Sequence, residues 1–303
     1  MRSIKLIYHI FSLYSVASQF KEETGKGDFE ETTPHSLYPP FVNVFDIENW
    51  DFGGDAIVDT YSHIRLTPDN PSKSGYLWSK DYLPNKNWQV EFKFKVGGIS
   101  KGLSGDGFAF WAARERAISG PVFGSKDYFN GLGIFFDTFH NAMTNDIEFP
   151  YISAQIGDGN MHYDNDQDGK PTEKSGCSYD FKNHNNVKAK ITYVKDVSLE
   201  LRLQKDDDDW TTCFAIPNVK LPENIYLGFS GLTGQLHDQH DINYVTTRVA
   251  ENIGTYKADF ASQPYVKHSS HWGKLFLIFV IVGVVALMYV GYQSQQKKAR
   301  KRF

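Results

Sequence analysis

Between Leu37 and Ala250 the chain is a succession of short apolar or alternating runs broken by turn residues, with no long amphipathic helical stretch among them. In Gln89–Val96, Val90, Phe92, Phe94 and Val96 alternate with Glu91, Lys93 and Lys95. In Val197–Leu203, Val197, Leu199, Leu201 and Leu203 alternate with Ser198, Glu200 and Arg202. A period of two belongs to a strand with one buried face. Gly107–Trp111, Leu132–Phe136 and Tyr226–Ser230 are apolar on both sides and predict central strands covered on both faces. Gly97-Gly98, Asp158-Gly159-Asn160, Asp168-Gly169 and the acidic tip Asp206–Asp209 supply turns between them. Aromatic residues make up 15% of the chain, which suits pleated, half-buried surfaces. About 215 residues of this kind predict an all-β, two-sheet antiparallel sandwich.

The two ends differ from this body. Met1-Arg2-Ser3-Ile4-Lys5, a mostly apolar stretch to Val16 and the small residues Val16-Ala17-Ser18 read as a signal peptide over 1–18, with an uncleaved anchor as the rival. Residues 19–36 are polar and predict a mobile N-terminus. Leu275–Tyr292 carries no charge over eighteen residues, roughly 27 Å of helix, and predicts a transmembrane segment over 274–292. Residues 251–273 form a short stalk, too aperiodic for a coiled coil. Residues 293–303 carry Lys297, Lys298, Arg300, Lys301 and Arg302, which places that tail in the cytosol and the body on the luminal side, as a type I membrane protein.

Charge narrows the function. The chain has a net charge of −4; removing the five tail cations together with Arg2 and Lys5 leaves −11 on residues 19–292. An acidic body argues against nucleic acid as a partner and suits a cation. The two cysteines, Cys177 and Cys213, both fall on the luminal side, where such a pair bonds; closing a loop of this size is worth about 4 kcal/mol in the entropy model.

Three stretches carry candidate chemistry. Asp164-Asn-Asp166-Gln-Asp168-Gly169 opens like an EF-hand loop, but Ser175 stands where the bidentate Glu is needed, leaving an oxygen-rich loop or a solvated hairpin tip. In Phe135–Asn141, Asp137 and Asn141 leave a buried strand four residues apart around Phe139, an oxygen set suited to calcium; a capping role accounts for Asn141 alone but leaves Asp137 a costly charge. Ser104-Gly105-Asp106-Gly107 places an acid between two flexible residues, as a close ligand contact or a plain turn. Asn145-Asp146-Ile147-Glu148 is close to a glycosidase strand, but Thr144 replaces the nucleophile, so no enzyme is expected. His237-Asp-Gln-His240-Asp241 lacks a third zinc ligand at a known spacing.

Taken in order, Gly105–Trp111, Gly120–Ser125, Gly131–Phe139, Lys188–Tyr193, His240-Asp241 and the cysteine pair resemble the L-type, legume-lectin-like cargo lectins of the early secretory pathway. The resemblance runs from about Phe45 to Ala250 and implies a concanavalin-like jelly roll for the lectin domain, 37–250. It implies one calcium ion held by Asp137, the Phe139 carbonyl, Asn141 and Asp168. It implies high-mannose glycans bound by Asp106 and Asn141, with Ser72 at the rim and Gly234, Gln235 and Leu236 closing the pocket. A cis peptide is implied at Gly105–Asp106. Where the family usually has a histidine, this chain has Asn165, which keeps hydrogen-bonding groups but lacks an imidazole's charge change. Gln235 stands where relatives carry Gly or Asp, and His140 and Ala142 replace the acids that take a second calcium.

Newly made glycoproteins are the implied cargo, moved between ER, intermediate compartment and Golgi. Arg300, Lys301, Arg302 and Phe303 are the implied trafficking signal, read by coat proteins, with Lys301 and Arg300 at the dilysine positions. A protein-binding adaptor on the same scaffold, its sugar site weakened at Asn165, is the alternative.

Overall fold

Alternation sets the architecture, because each strand's apolar face needs a partner layer. The computed structural model describes residues 29–41, 47–98, 105–142, 147–253 and 258. In chain order the first strands are β1 (Glu30–Glu31), β2 (Trp50–Gly54), β3 (Ile57–Asp59), β4 (His63–Thr67), β5 (Ser74–Tyr82), β6 (Asn87–Gly97), β7 (Gly107–Ala113) and β8 (Asn130–Asp137). There follow β9 (Tyr151–Asp158), β10 (Ser175–Ser178), β11 (Val187–Val194), β12 (Ser198–Lys205), β13 (Thr211–Pro217), β14 (Tyr226–Leu232) and β15 (Gln239–Ala250). One sheet has the order β13-β12-β11-β6-β15-β4-β3, with β1 added on β15; the other has β10-β9-β8-β7-β14-β5-β2. The two-sheet antiparallel sandwich expected from the sequence is what forms.

The inner faces meet through rings. Phe92 of β6 stacks parallel to Phe110 of β7 at 5.9 Å and meets Phe229 of β14 edge-on at 5.0 Å. Phe94 meets Phe136 of β8 at 5.1 Å. Offset and edge-on pairs of this kind add to area burial. The seven-stranded sheet is apolar on its outer face too, where Trp78, Trp111 and Phe135 lie under Phe123, Phe129 and Tyr163 from loops. That second layer explains why β7 and β8 do not alternate.

Cys177 of β10 is bonded to Cys213 of β13, so an edge strand of one sheet is tied to an edge strand of the other. At β12 the expectation needs adjustment. Val197 is 57% exposed in the preceding turn, donating its N–H to Val194 O at 2.9 Å, and the strand starts at Ser198. Ser198 and Glu200, expected on a solvent face, are buried.

The polar segment 19–36 is described from residue 29 and is not loose there. Glu30 and Glu31 pair with Val249 and Arg248, and Thr247 donates from Oγ1 to the carbonyl of buried His35 at 2.7 Å. The body therefore begins before the expected residue 37. The described residues lie in the larger of two compact units, Met1–Pro264. No helix among them is long and apolar enough to cross a membrane. The expected signal peptide, the transmembrane segment, the cytosolic tail with Arg300–Phe303, and the stalk beyond Ile253 apart from Ala258 fall outside the described residues.

Candidate functional site

Three central strands of the seven-stranded sheet end together, where Gly107 of β7 pairs with both Asp137 of β8 and Leu232 of β14. The buried run Gly131–Phe136 delivers Asp137 to this end, and its carboxylate stops the strand by accepting the Phe139 N–H at 2.9 Å. Asp137 is only 6% exposed. Burial holds its pKa well above the ordinary carboxylate value, and the neighbouring charges of Asp168 and Asp106 push the same way.

The Gly105–Asp106 peptide is cis, as the resemblance implies. Asp106 is gripped by its backbone from both sides: its N–H donates to Leu232 O at 3.2 Å, and its carbonyl accepts from Thr138 N–H at 3.0 Å and Thr138 Oγ1 at 3.1 Å. The side chain is left to face the cleft, where burial pushes its pKa up to about 6.

The acidic loop divides by burial. Asn165, Asp166 and Gln167 are exposed on a single 3-10 turn capped by Asp164, which accepts the Gln167 N–H at 3.2 Å. Asp168, in a left-handed conformation (φ 51°), turns inward and accepts from the N–H groups of Asn141 at 2.8 Å and Ala142 at 3.1 Å. Tyr163 wedges the loop against Phe135, with ring centroids 4.6 Å apart. Gly169 is required beneath it, because a Cβ there would lie 2.2 Å from the Tyr163 ring.

These groups enclose a cavity of about 260 Å³, with Asp106, Asp137, Asn141 and Asn165 as polar lining and Pro121, Phe123, Tyr163 and Leu232 as apolar lining. The opposite rim is a loop crossing to the other sheet. Ser72 donates its N–H to Gly234 O at 2.9 Å, and a Cβ on Gly234 would lie 3.3 Å from Asp106 Oδ1. The Leu236 side chain packs beside Gly105. Ser72 and Gln235 are exposed at this rim.

Four expected residues thus share one cavity. Phe139 and Asp168 stand one hydrogen bond behind it, and Gly234 and Leu236 lie over Asp106. Sequence reasoning missed the apolar walls. The signal lay in Gly120–Ser125, where Phe123 (φ 46°) and Gly124 (φ 85°) make a left-handed reversal held by Val122 and Ser125 bonding each other at 2.9 and 3.0 Å.

Among the described residues, no three His, Cys, Asp or Glu side chains cluster as ligands by themselves. The expected calcium set has two carboxylates, a carbonyl and a carboxamide, the all-oxygen kind a hard cation takes. A wholly buried Asp137, repelled by two further acids, fits a divalent ion. Of the nearby histidines, His140 lies with its Nε2 3.8 Å from Asp168 Oδ2, His237 pairs with Asp69, and His240 is buried with its pKa lowered to about 3, chiefly by desolvation.

The fold is a two-sheet sandwich with an acidic cleft at the ends of its central strands, and residues 29–256 match the family model described as legume-like lectin; the chain belongs to that family. Its members are non-enzymatic carbohydrate binders. The vesicular integral-membrane protein VIP36 of Canis lupus familiaris is 42% identical over 213 residues, 69% of this chain and 59% of that protein. A VIP36-like protein of Homo sapiens is 39% identical over 95% of this chain and 90% of its own length. The exoplasmic/lumenal domain of VIP36 in its Ca2+/Man-bound crystal form superposes with a TM-score of 0.70 at 37% identity, over 77% of this chain and 96% of that one.

Proposed function

We propose that this chain is a calcium-dependent lectin for the high-mannose glycans of newly made glycoproteins. The observation that carries the reading is the single cavity lined by Asp106, Asp137, Asn141 and Asn165. One calcium ion would be held by Asp137, the Phe139 carbonyl, Asn141 and Asp168, neutralising carboxylates that otherwise repel. Asp106 accepts hydrogen bonds from sugar hydroxyls, and Asn141 both donates and accepts through its carboxamide. Asn165, Gly234, Gln235, Leu236 and Ser72 complete the rim. Phe123 and Tyr163 supply apolar walls for the ring's carbon face. Because these groups stand in place before the sugar arrives, little ordering cost falls on binding. VIP36, solved with Ca2+ and mannose and with Ca2+ and Man3GlcNAc, supports this assignment by likeness.

The same reading makes the protein a type I membrane cargo receptor of the ER, intermediate compartment and Golgi. Residues 1–18 serve as signal peptide, 251–273 as stalk and 274–292 as the membrane span. The tail, ending Arg300-Lys301-Arg302-Phe303, meets coat proteins. The relatives' description as vesicular integral-membrane proteins favours it.

The test is a glycan array with the full chain, with and without EDTA. Mannose capture that needs calcium and is lost in Asp106→Ala and Asn141→Ala supports the lectin. A protein-binding adaptor, favoured by Asn165 in place of histidine, predicts cargo association with no glycan signal.

A further inference from the structure

Two segments cross between the sheets beside the cavity: residues 68–73, from β4 to β5, and residues 233–238, from β14 to β15. They run side by side and are joined most densely at one end. Thr233 donates its N–H to Lys73 O at 2.9 Å, and its Oγ1 accepts the Lys73 N–H at 2.9 Å and donates to Asn70 O at 2.8 Å. Ser72 adds its bond to Gly234 O. Past that point the chain spans the cavity rim with Gly234, which has no side chain, and Gln235, which is exposed.

At the far end of this span His237 reaches back to the first segment. Its Nδ1 lies 2.6 Å from Asp69 Oδ1, across 168 positions of sequence. The imidazole is the donor, since an ionised carboxylate only accepts. Both side chains are largely covered, at 31% and 13% exposure. Asp238, next in the chain, is wholly buried, with Lys182 Nζ 3.5 Å from its carboxylate and Thr67 Oγ1 donating to its carbonyl at 3.3 Å. Those contacts set where β15 begins. The Thr67 bond also holds Asp238 to the end of β4, from which the segment carrying Ser72 departs.

We propose that Asp69 and His237 are a positioning pair for sugar recognition, holding the Gly234–Leu236 span down over Asp106. The inference rests on the lectin reading. The span is fixed at one end by the Thr233 and Ser72 bonds and at the other by the Asp238 contacts together with the His237–Asp69 pair, and slackening the pair changes the gap above the Asp106 carboxylate. Gly234 already approaches that carboxylate to within contact distance of a Cβ, so a small displacement alters which hydroxyls reach it. Fixing the span beforehand removes an ordering cost from binding. The pair acts through Gly234 and Leu236 and touches no sugar itself.

The test uses the full chain in calcium, comparing wild type with His237→Ala and His237→Asn. The asparagine keeps an N–H donor close to the Nδ1 position, so it restores the bond without the ring. Mannose affinity falls about five- to tenfold in His237→Ala, the size of one hydrogen bond, at a temperature where both chains are fully folded. His237→Asn recovers it. In sugar-free samples, amide exchange over residues 234–236 speeds up in His237→Ala and returns to the wild-type rate in His237→Asn. Unchanged affinity and exchange in His237→Ala overturn the proposal. So does a loss that follows a drop in melting temperature and is not restored by asparagine. A wild-type chain that takes up no mannose sinks the lectin reading and the recognition role with it, while the exchange rates still report whether the pair holds the span.

Discussion

Gly234 stands directly over Asp106: a Cβ on the glycine would come within 3.3 Å of the carboxylate's Oδ1. The backbone there is not left-handed, so only this closeness asks for a glycine. Gly234→Val therefore leaves the fold intact and fills the approach to the acid. Mannose affinity in isothermal titration should fall at least tenfold, about 1.4 kcal/mol, with an unchanged melting curve. Wild-type affinity in the variant would remove Asp106 from the sugar site.

Asp137 is a buried carboxylate that two other acids repel, so its charge is a burden whenever no cation is near. Asp137→Asn should raise the melting temperature in EDTA above that of wild type and abolish the further rise on adding calcium. For wild type, calcium at a hundred times its dissociation constant contributes about 2.7 kcal/mol. A variant that still gains the wild-type increment places the ion elsewhere.

The buried His240 adds a destabilising slope to the acid side of the stability curve. Its folded pKa of about 3 lies below the ordinary 6.5, so the unfolded chain binds a proton that the folded chain refuses. This group costs nothing above pH 6.5 and progressively favours unfolding as pH falls toward 3. Between pH 6.5 and 4.5 the loss amounts to about 2–3 kcal/mol, at roughly 1.4 kcal/mol per pH unit. Urea denaturation of His240→Asn over that interval should show a shallower slope, and a slope equal to wild type would assign the effect to other groups.

The Cys177–Cys213 bond ties edge strands of opposite sheets, away from the cavity lining. Replacing both cysteines by serine should lower unfolding free energy by about 2–4 kcal/mol. Sugar binding at a temperature where the variant is folded should match wild type. Lost binding under those conditions would mean that the bridge shapes the cleft.

Legibility followed the range over which each residue's role is decided. Val90 to Val96 announced their strand because period two is a local property. Asp137 could be singled out because a carboxylate closing the buried run Leu132–Phe136 lacks a cheap explanation. Phe123 and Tyr163 could not be assigned: an aromatic in a loop looks the same whether it walls a cleft or caps a core, and here both rings belong to the layer over Phe135. Within Asp164–Gly169 the alternation of acids gave no reason to rank them, yet only Asp168 is buried. Glu200 read as a solvent residue because period two says which face it occupies, not what lies on that face. The Asp69–His237 bond joins residues too distant in sequence for any local pattern to pair them.

β15 has one further consequence. It starts at the loop beside the cavity and runs twelve residues to Ala250, about 35–40 Å at the usual rise per residue. The N-terminal strand, paired with Val249 and Arg248, is pinned to that same remote end. The two described ends of the body, residues 29–31 and 248–253, therefore lie at the pole opposite the cleft. The described ends of the body and the cleft thus stand a full strand's length apart.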